Sequence, residues 1–289
     1  MLFVNDRMST KNKFYLSCIV IFYFIAISCN NESEVKNESP AESTTPSPAN
    51  IGYTVVNAFP HDTSAFTQGL EVHNGKFIES TGLYGKSSLR LVDIKNGKSL
   101  KQFSNGEDIF AEGITVLNDT IYQLSWENHL VFLYSVKTFQ PLGTRNWNYQ
   151  GWGITNDGKS LIISDGTDKL YFAEPNSLKV KNILSVKDNI GPVNNLNELE
   201  MIDGYIYANR WQYDYIVKID PNNGNVVGTL NFSDFLVKNS KSDLSYLSKN
   251  NSSAQINGAV LNGIAYDSSK KTIYITGKLW PEIFEIKLQ

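Results

Sequence analysis

Five times along this chain, one polar or aromatic residue opens a short apolar segment, a turn follows, and a second apolar segment comes after it. The openings are Gln68-Gly69-Leu70, Glu112-Gly113-Ile114, Trp152-Gly153-Ile154, Asn197-Glu198-Leu199 and Asn262-Gly263-Ile264, separated by 44, 40, 45 and 65 residues. Segments of strand length recurring at that period are the mark of a repeat built from one small sheet per unit. Few architectures accept such a pattern.

The second segment of each unit aligns without gaps, at residues 76–82, 120–126, 160–166, 205–211 and 272–278. A third follows at 89–93, 130–134, 170–173, 216–220 and 283–286, and a fourth, outer segment such as 226–230 completes the unit. Asn96-Gly97 and Asn223-Gly224 supply the positive φ that tight hairpins require. The pattern predicts an all-β chain folded as a five-bladed β-propeller. Residues 53–59 form a strand with no unit of their own, while the last unit stops at Gln289 after three strands. Letting the N-terminal strand complete the last blade closes the ring and removes two exposed edges.

The irregular spacing has one source. Between Asn231 and Gly258 lie about twenty residues beyond the repeat, rich in Ser, Asn and Lys. A short helix over 233–237 with Ser233 as N-cap is expected there, as a lid or as a surface excursion.

The N-terminal end is of another kind. Arg7, Lys11 and Lys13 precede an apolar run over 14–27, too short to span a bilayer and shaped like an export signal, so residues 1–28 are read as a signal peptide. The chain has two cysteines, Cys18 inside that signal and Cys29 at its end, so an exported form has no disulfide. Ala26-Ile27-Ser28-Cys29 resembles a bacterial lipobox, with Ala26 where leucine is usual. The expectation is lipidation at Cys29 and a cell-envelope location, periplasmic or on the outer membrane, with plain secretion as the alternative. Residues 29–50 have almost nothing to bury and are read as a disordered tether, leaving 51–289 as the folded domain. Losing residues 1–28 moves the formal charge from -3 to -5, which speaks against a nucleic-acid partner. A closed ring leaves no edge to pair, so a monomer is expected.

In a propeller the innermost strands line a central channel, so equivalent positions of distant units converge. Gln68, Glu112, Trp152, Asn197 and Asn262 then face one another, and Gly82, Trp126, Gly166, Trp211 and Lys278, which close the second strands, lie near the same mouth. Phe66 and Phe110 stand two residues before their openings and flank it. A structural repeat keeps one residue type in each slot; here a carboxylate, amides, tryptophans and a lysine share equivalent slots. A single tryptophan is as readily a packing spacer, and a salt bridge to Lys278 is the weaker alternative for Glu112 taken alone. Such divergence in a whole set points to an asymmetric ligand. Metal binding fits poorly, because His61, His73 and His129 lie far apart and off the repeat positions. Serine nucleophiles lack a positioned histidine.

Phe66-Thr67-Gln68-Gly69, Phe110-Ala111-Glu112-Gly113, Asn197-Glu198-Leu199-Glu200, Asn262-Gly263-Ile264-Ala265 and Thr276-Gly277-Lys278-Leu279-Trp280-Pro281 together resemble the plant and bacterial glutaminyl cyclases, which are five-bladed propeller enzymes. The resemblance runs from about Tyr53 to the end. It implies a glutaminyl-peptide cyclotransferase that converts the N-terminal glutamine of peptides and proteins to pyroglutamate with release of ammonia, without cofactor or metal. It further implies Glu112, Asn197 and Lys278 as catalytic residues, and Gln68, Phe66, Phe110, Trp126, Trp152 and Trp211 as substrate-binding residues. Glu112 is also the single carboxylate among the ten convergent positions. Two other readings remain at this stage: a non-catalytic propeller that binds peptide N-termini, and a lactonase-like hydrolase, which needs more carboxylates on the axis than the repeat positions supply.

Overall fold

The computed structural model describes residues 45–245 and 258–289. The expected export signal over 1–28, Cys29, most of the stretch expected as a tether and residues 246–257 of the insertion lie outside these. β1 (Ala49–Asn50) and β2 (Tyr53–Pro60) precede the first blade, formed by β3 (Thr67–His73), β4 (Lys76–Thr81), β5 (Ser88–Asp93) and β6 (Ser99–Ser104). The second blade is β7 (Ala111–Leu117), β8 (Thr120–Ser125), β9 (Leu130–Ser135) and β10 (Pro141–Asn146). The third is β11 (Ile154–Asn156), β12 (Leu161–Ser164), β13 (Lys169–Ala173) and β14 (Val180–Ser185). The fourth is β15 (Leu196–Ile202), β16 (Tyr205–Arg210), β17 (Tyr215–Ile219) and β18 (Val226–Asn231). After the helix α1 (Phe235–Asn239) come β19 (Leu261–Asp267), β20 (Thr272–Gly277) and β21 (Glu282–Leu288).

Each blade is an antiparallel meander with its first strand innermost. The ring closes as expected: β2 pairs antiparallel with β21 from Tyr53↔Leu288 to Pro60↔Glu282 and is the outer strand of the fifth blade. Hydropathy follows depth. Second strands such as β8 and β20 are buried along almost their whole length, because each blade packs on a neighbour at both faces, whereas β10 is exposed at every residue. The apolar core lies in wedges between blades, with Ile78, Leu89, Ile114, Ile121 and Tyr134 joining the first two, and Leu70, Phe77, Ala265 and Tyr274 joining the first and last.

The axis sets a harder problem. Inner strands have no sheet partner on the channel side, so their N–H groups need acceptors from elsewhere. Side chains from other blades provide them. Glu71 accepts from Val116 N–H at 2.7 Å, Glu198 accepts from Ile264 N–H at 2.8 Å and Leu70 N–H at 3.3 Å, and Glu200 accepts from Tyr266 N–H at 2.8 Å. Backbones also approach closely: a Cβ at Gly153 would meet the Asn197 carbonyl oxygen at 1.9 Å. Four units therefore place glycine second, and the fourth blade places Glu198 there, filling the channel.

Three expectations need correction. The last two residues of the stretch expected as a tether are a strand, because Ala49–Asn50 runs parallel to β18 as a fifth strand of the fourth blade and Ile51 N–H bonds to the Thr229 carbonyl at 2.8 Å. Gly228 makes room for this, since a Cβ there would strike Ile51 at 2.5 Å. The helix begins at Phe235, and the residue at its N-cap is Asp234, with φ of 57° and no side-chain cap, in place of Ser233. Packing places it: the Phe235 ring is buried against Phe284 and Trp280. The third inner strand starts only at Ile154, leaving Trp152 and Gly153 outside it.

Burial pushes the Glu71 carboxyl up to about 8 from its usual 4.5. Burial, then like charge from Glu200 on Glu198 and from Glu71 on Glu200, pushes both others well above the carboxylate range. A carboxyl with a higher pKa folded than unfolded binds its proton more tightly in the native state, so this part of the stability is intact below about 4.5 and is lost as pH climbs toward about 8. Glu71→Gln is expected to raise the melting temperature at pH 8 by ~2–4 °C and to change it little at pH 5, as read by thermal unfolding at the two pH values.

Candidate active site

Gln68, Glu112, Asn197 and Asn262 each sit where the inner strand slips in register against its partner, between Thr67 and Gly69, Ala111 and Ile114, Leu196 and Leu199, and Leu261 and Ile264. A β-bulge of this kind turns a side chain out of the normal alternation. Here it turns Gln68, Glu112 and Asn197 into one space at the mouth of the channel. The N–H groups of the glycines in second position find acceptors nearby: Gly263 N–H bonds to Asn209 Oδ1 at 2.9 Å, Gly153 N–H to Ser164 Oγ at 2.8 Å, and Gly113 N–H to the Trp152 carbonyl at 2.8 Å.

The result is one cavity of about 240 Å³ lined by Phe66, Gln68, Phe110, Glu112, Trp126, Trp152, Asn197, Trp211 and Lys278. All nine residues singled out in the sequence meet in it. Ligand pockets usually run from ~300 to ~1,000 Å³, so this one suits a single residue rather than a long segment. Of the other convergent positions, Asn262 lies just behind the wall, donating its Nδ2–H to the Thr67 carbonyl at 3.0 Å and to Gln68 Oε1 at 3.4 Å. Gly82 and Gly166 create space: a Cβ at Gly82 would lie 2.5 Å from the Phe110 ring, and one at Gly166 would lie 2.7 Å from the Trp152 indole.

The aromatic walls hold one another edge to face. Phe110 packs against Phe66 at 6.2 Å and Trp126 at 5.7 Å between centroids, and Trp152 against Trp211 at 5.6 Å. Such pairs add to simple burial. Gln150, which lies outside the repeat positions, accepts both the Trp126 and Trp152 Nε1–H groups on one Oε1 at 3.3 Å, linking the indoles of two blades. No repeat signal marks Gln150. Glu198 did carry one, as the single departure from glycine at its position.

The polar groups stand in an unusual state. Glu112 and Lys278 are 6% and 4% exposed. Burial raises the Glu112 carboxyl well above its ordinary value, and the Lys278 charge only partly opposes that. Burial likewise lowers the Lys278 ammonium from 10.5 to about 8, against the pull of Glu112. Desolvation disfavours both charged forms and brings their pKa values toward each other. Lys278 Nζ also sits 4.7 Å from the Phe66 ring centroid, a cation–π contact. Asn197 Oδ1 is fully buried without a hydrogen-bond partner, an arrangement that costs stability unless something arriving in the pocket donates to it.

The model for glutamine cyclotransferases matches residues 24–288. A glutaminyl-peptide cyclotransferase of Arabidopsis thaliana is 40% identical over 240 residues, covering 81% of this chain and 71% of the relative. This chain belongs to the glutamine cyclotransferase family. The crystal structure of Myxococcus xanthus glutaminyl cyclase superposes with a TM-score of 0.74 at 35% identity, covering 84% of this chain and 98% of that one. For a cyclotransferase fold, the aromatic-walled cavity with one buried carboxyl and one buried amine is the feature any account of the chemistry must explain.

Proposed function

We propose that the protein is a glutaminyl-peptide cyclotransferase that closes the N-terminal glutamine of a peptide into pyroglutamate and releases ammonia. The observation that carries the reading is that Glu112 and Lys278, both buried, line one cavity of single-residue size walled by indoles. In the reaction the α-amine nitrogen attacks the side-chain carboxamide carbon. A ring C–N bond forms, the carbonyl oxygen takes up negative charge, and the amide C–N bond then breaks. One proton must leave the amine and one must reach the departing nitrogen.

Glu112 performs both transfers in turn, accepting the proton from the attacking amine and handing it to the leaving group. Its raised pKa suits this, because a base is most effective when its affinity for the proton lies near that of the group it serves. Lys278 donates to the carbonyl oxygen as charge develops, the task of an oxyanion donor in a water-poor site. Asn197 presents its unpartnered Oδ1 to the N–H groups of the substrate carboxamide. Gln68, with its Oε1 held by Asn262, offers its amide N–H groups to the substrate's polar atoms. The aromatic walls fold the side chain back on the amine, an entropic contribution, and their apolar surface favours the neutral amine, whose reference pKa is about 7.7–8.0.

The proposal extends to location. The lipobox-like stretch ending at Cys29 supports a lipid-anchored enzyme of the cell envelope acting on exported peptides. Detergent-phase partitioning of the full chain is expected to be lost in Cys29→Ser; an unchanged partition removes the anchor.

Incubating the protein with a glutamine-leading dipeptide and measuring ammonia tests the activity. Glu112→Gln is expected to lower kcat by at least ~100-fold, the range general acid–base catalysis supplies, with an unchanged circular dichroism spectrum. Activity retained in that variant takes Glu112 out of the mechanism. Lys278 stabilises the developing oxyanion through its positive charge, so that contribution is present below about 8 and is lost as pH rises through that value. In Lys278→Arg, which keeps its charge across this range, the fall in kcat above about pH 8 is expected to disappear, whatever the residual rate.

A further inference from the structure

His61 carries no repeat signal and touches nothing in the cavity, yet it is 8% exposed and sits at the seam where the first and last blades meet. Its Nε2 lies 2.8 Å from Glu79 Oε1, and its Nδ1 lies 2.8 Å from the Trp280 carbonyl oxygen. A third neighbour, Thr276 Oγ1 at 3.4 Å from Nδ1, donates its own hydrogen to the Glu282 carbonyl and so offers only a lone pair. Both ring nitrogens thus face acceptors. Only the imidazolium has two N–H groups to satisfy them.

Each acceptor belongs to a segment that bears the site. Trp280 follows Lys278 by two residues in the turn after β20. That turn is tied to the segment before β3 by His61 N–H to the Pro281 carbonyl at 2.9 Å and Leu279 N–H to the Ala65 carbonyl at 2.8 Å. On the other side, Glu79 Oε1 also accepts the Thr67 hydroxyl at 2.8 Å, and Thr67 immediately precedes Gln68. Phe66, which carries the Lys278 cation–π contact, lies between these two anchor points.

We propose that His61, as an imidazolium paired with Glu79, is a positioning residue that locks the Lys278 turn of the last blade against the Gln68 strand of the first. The charged groups around the pair are few. Glu79 faces the ring directly, Asp62 adds a more distant negative charge, and Arg90 acts on Glu79 while bonding Asp62 at 2.8 Å. Burial by itself lowers the imidazole's pKa, but the Glu79 charge and hydrogen bond outweigh it and hold His61 above its ordinary value. Glu79 is held below the usual range by the same partner against its own burial. The contribution of His61 to stability is therefore complete below about 6.5 and is lost as pH rises through its raised value. That of Glu79 is present above about 4.5 and is lost as pH falls through its lowered value.

The inference rests on the cyclase reading for its kinetic test alone. Nitrogen-15 NMR of the wild-type protein at pH 7 decides the charge without any assay: both ring nitrogens of His61 are expected protonated, and a neutral tautomer overturns the proposal. If wild type releases no ammonia from a glutamine-leading dipeptide, the functional reading fails and this spectroscopic result still stands or falls by itself. With active wild type, His61→Gln is expected to lower kcat by about tenfold or more, since small misplacements of catalytic groups have effects of this size, and to shift the basic limb of the kcat profile that Lys278 sets. The double variant His61→Gln/Glu79→Gln, which replaces the ion pair by two hydrogen-bonding amides, is expected to fold and to recover part of kcat. A variant protein of lowered melting temperature whose folded fraction keeps wild-type kcat and an unmoved basic limb shows a merely structural histidine and overturns the proposal. If His61→Gln does not fold, the double variant is judged by the same two readouts.

Discussion

The unpaired edges of the innermost strands govern this molecule. Within each blade the strands pair with one another, but the innermost strands have no sheet partner along the channel, and there the backbones come too close for most side chains to fit. Carboxylates from adjacent blades answer the exposed N–H groups, with Glu71 reaching from the first blade to the second and Glu198 and Glu200 reaching from the fourth to the fifth. These contacts fix how one blade sits against the next. They also place three carboxyl groups where burial and mutual repulsion disfavour charge.

Above that layer the same strands loosen into bulges, and the loosening creates the site. In regular strands the opening residues would alternate between packed faces. The register shifts instead present Gln68, Glu112 and Asn197 to a common space, while Asn262 stays behind to hold Gln68. The aromatic rings around this space exclude water from Glu112 and Lys278. Exclusion is what raises one pKa and lowers the other, so the walls and the charged pair form a single device.

The site also straddles the closure of the ring. Lys278 belongs to the last blade and Phe66 and Gln68 to the first, and the outer strand of the last blade comes from the N-terminal side of the domain. Whatever holds that seam sets the distance between groups more than two hundred residues apart in sequence. Backbone bonds between residues 61–65 and 279–281 and the buried His61–Glu79 pair do this holding.

Much of this was legible in the chain alone, because a repeat carries its own geometry. Once Gln68, Glu112, Trp152, Asn197 and Asn262 were seen to occupy one slot in five like units, convergence followed from ring symmetry, and the odd mixture of side chains marked the binding end. Local order alone could not reveal Gln150, whose bridge between two indoles depends on how blades two and three face each other, or the pairing of His61 with Glu79 across the seam. Nor did it show that Ala49–Asn50 pairs with β18, since strand addition to an edge is decided by an available neighbour rather than by the composition of the added strand. Periodicity determines which residues share a role. Tertiary structure alone decides distances, partners and burial, since desolvation and cross-blade hydrogen bonds come into being only when the ring is closed.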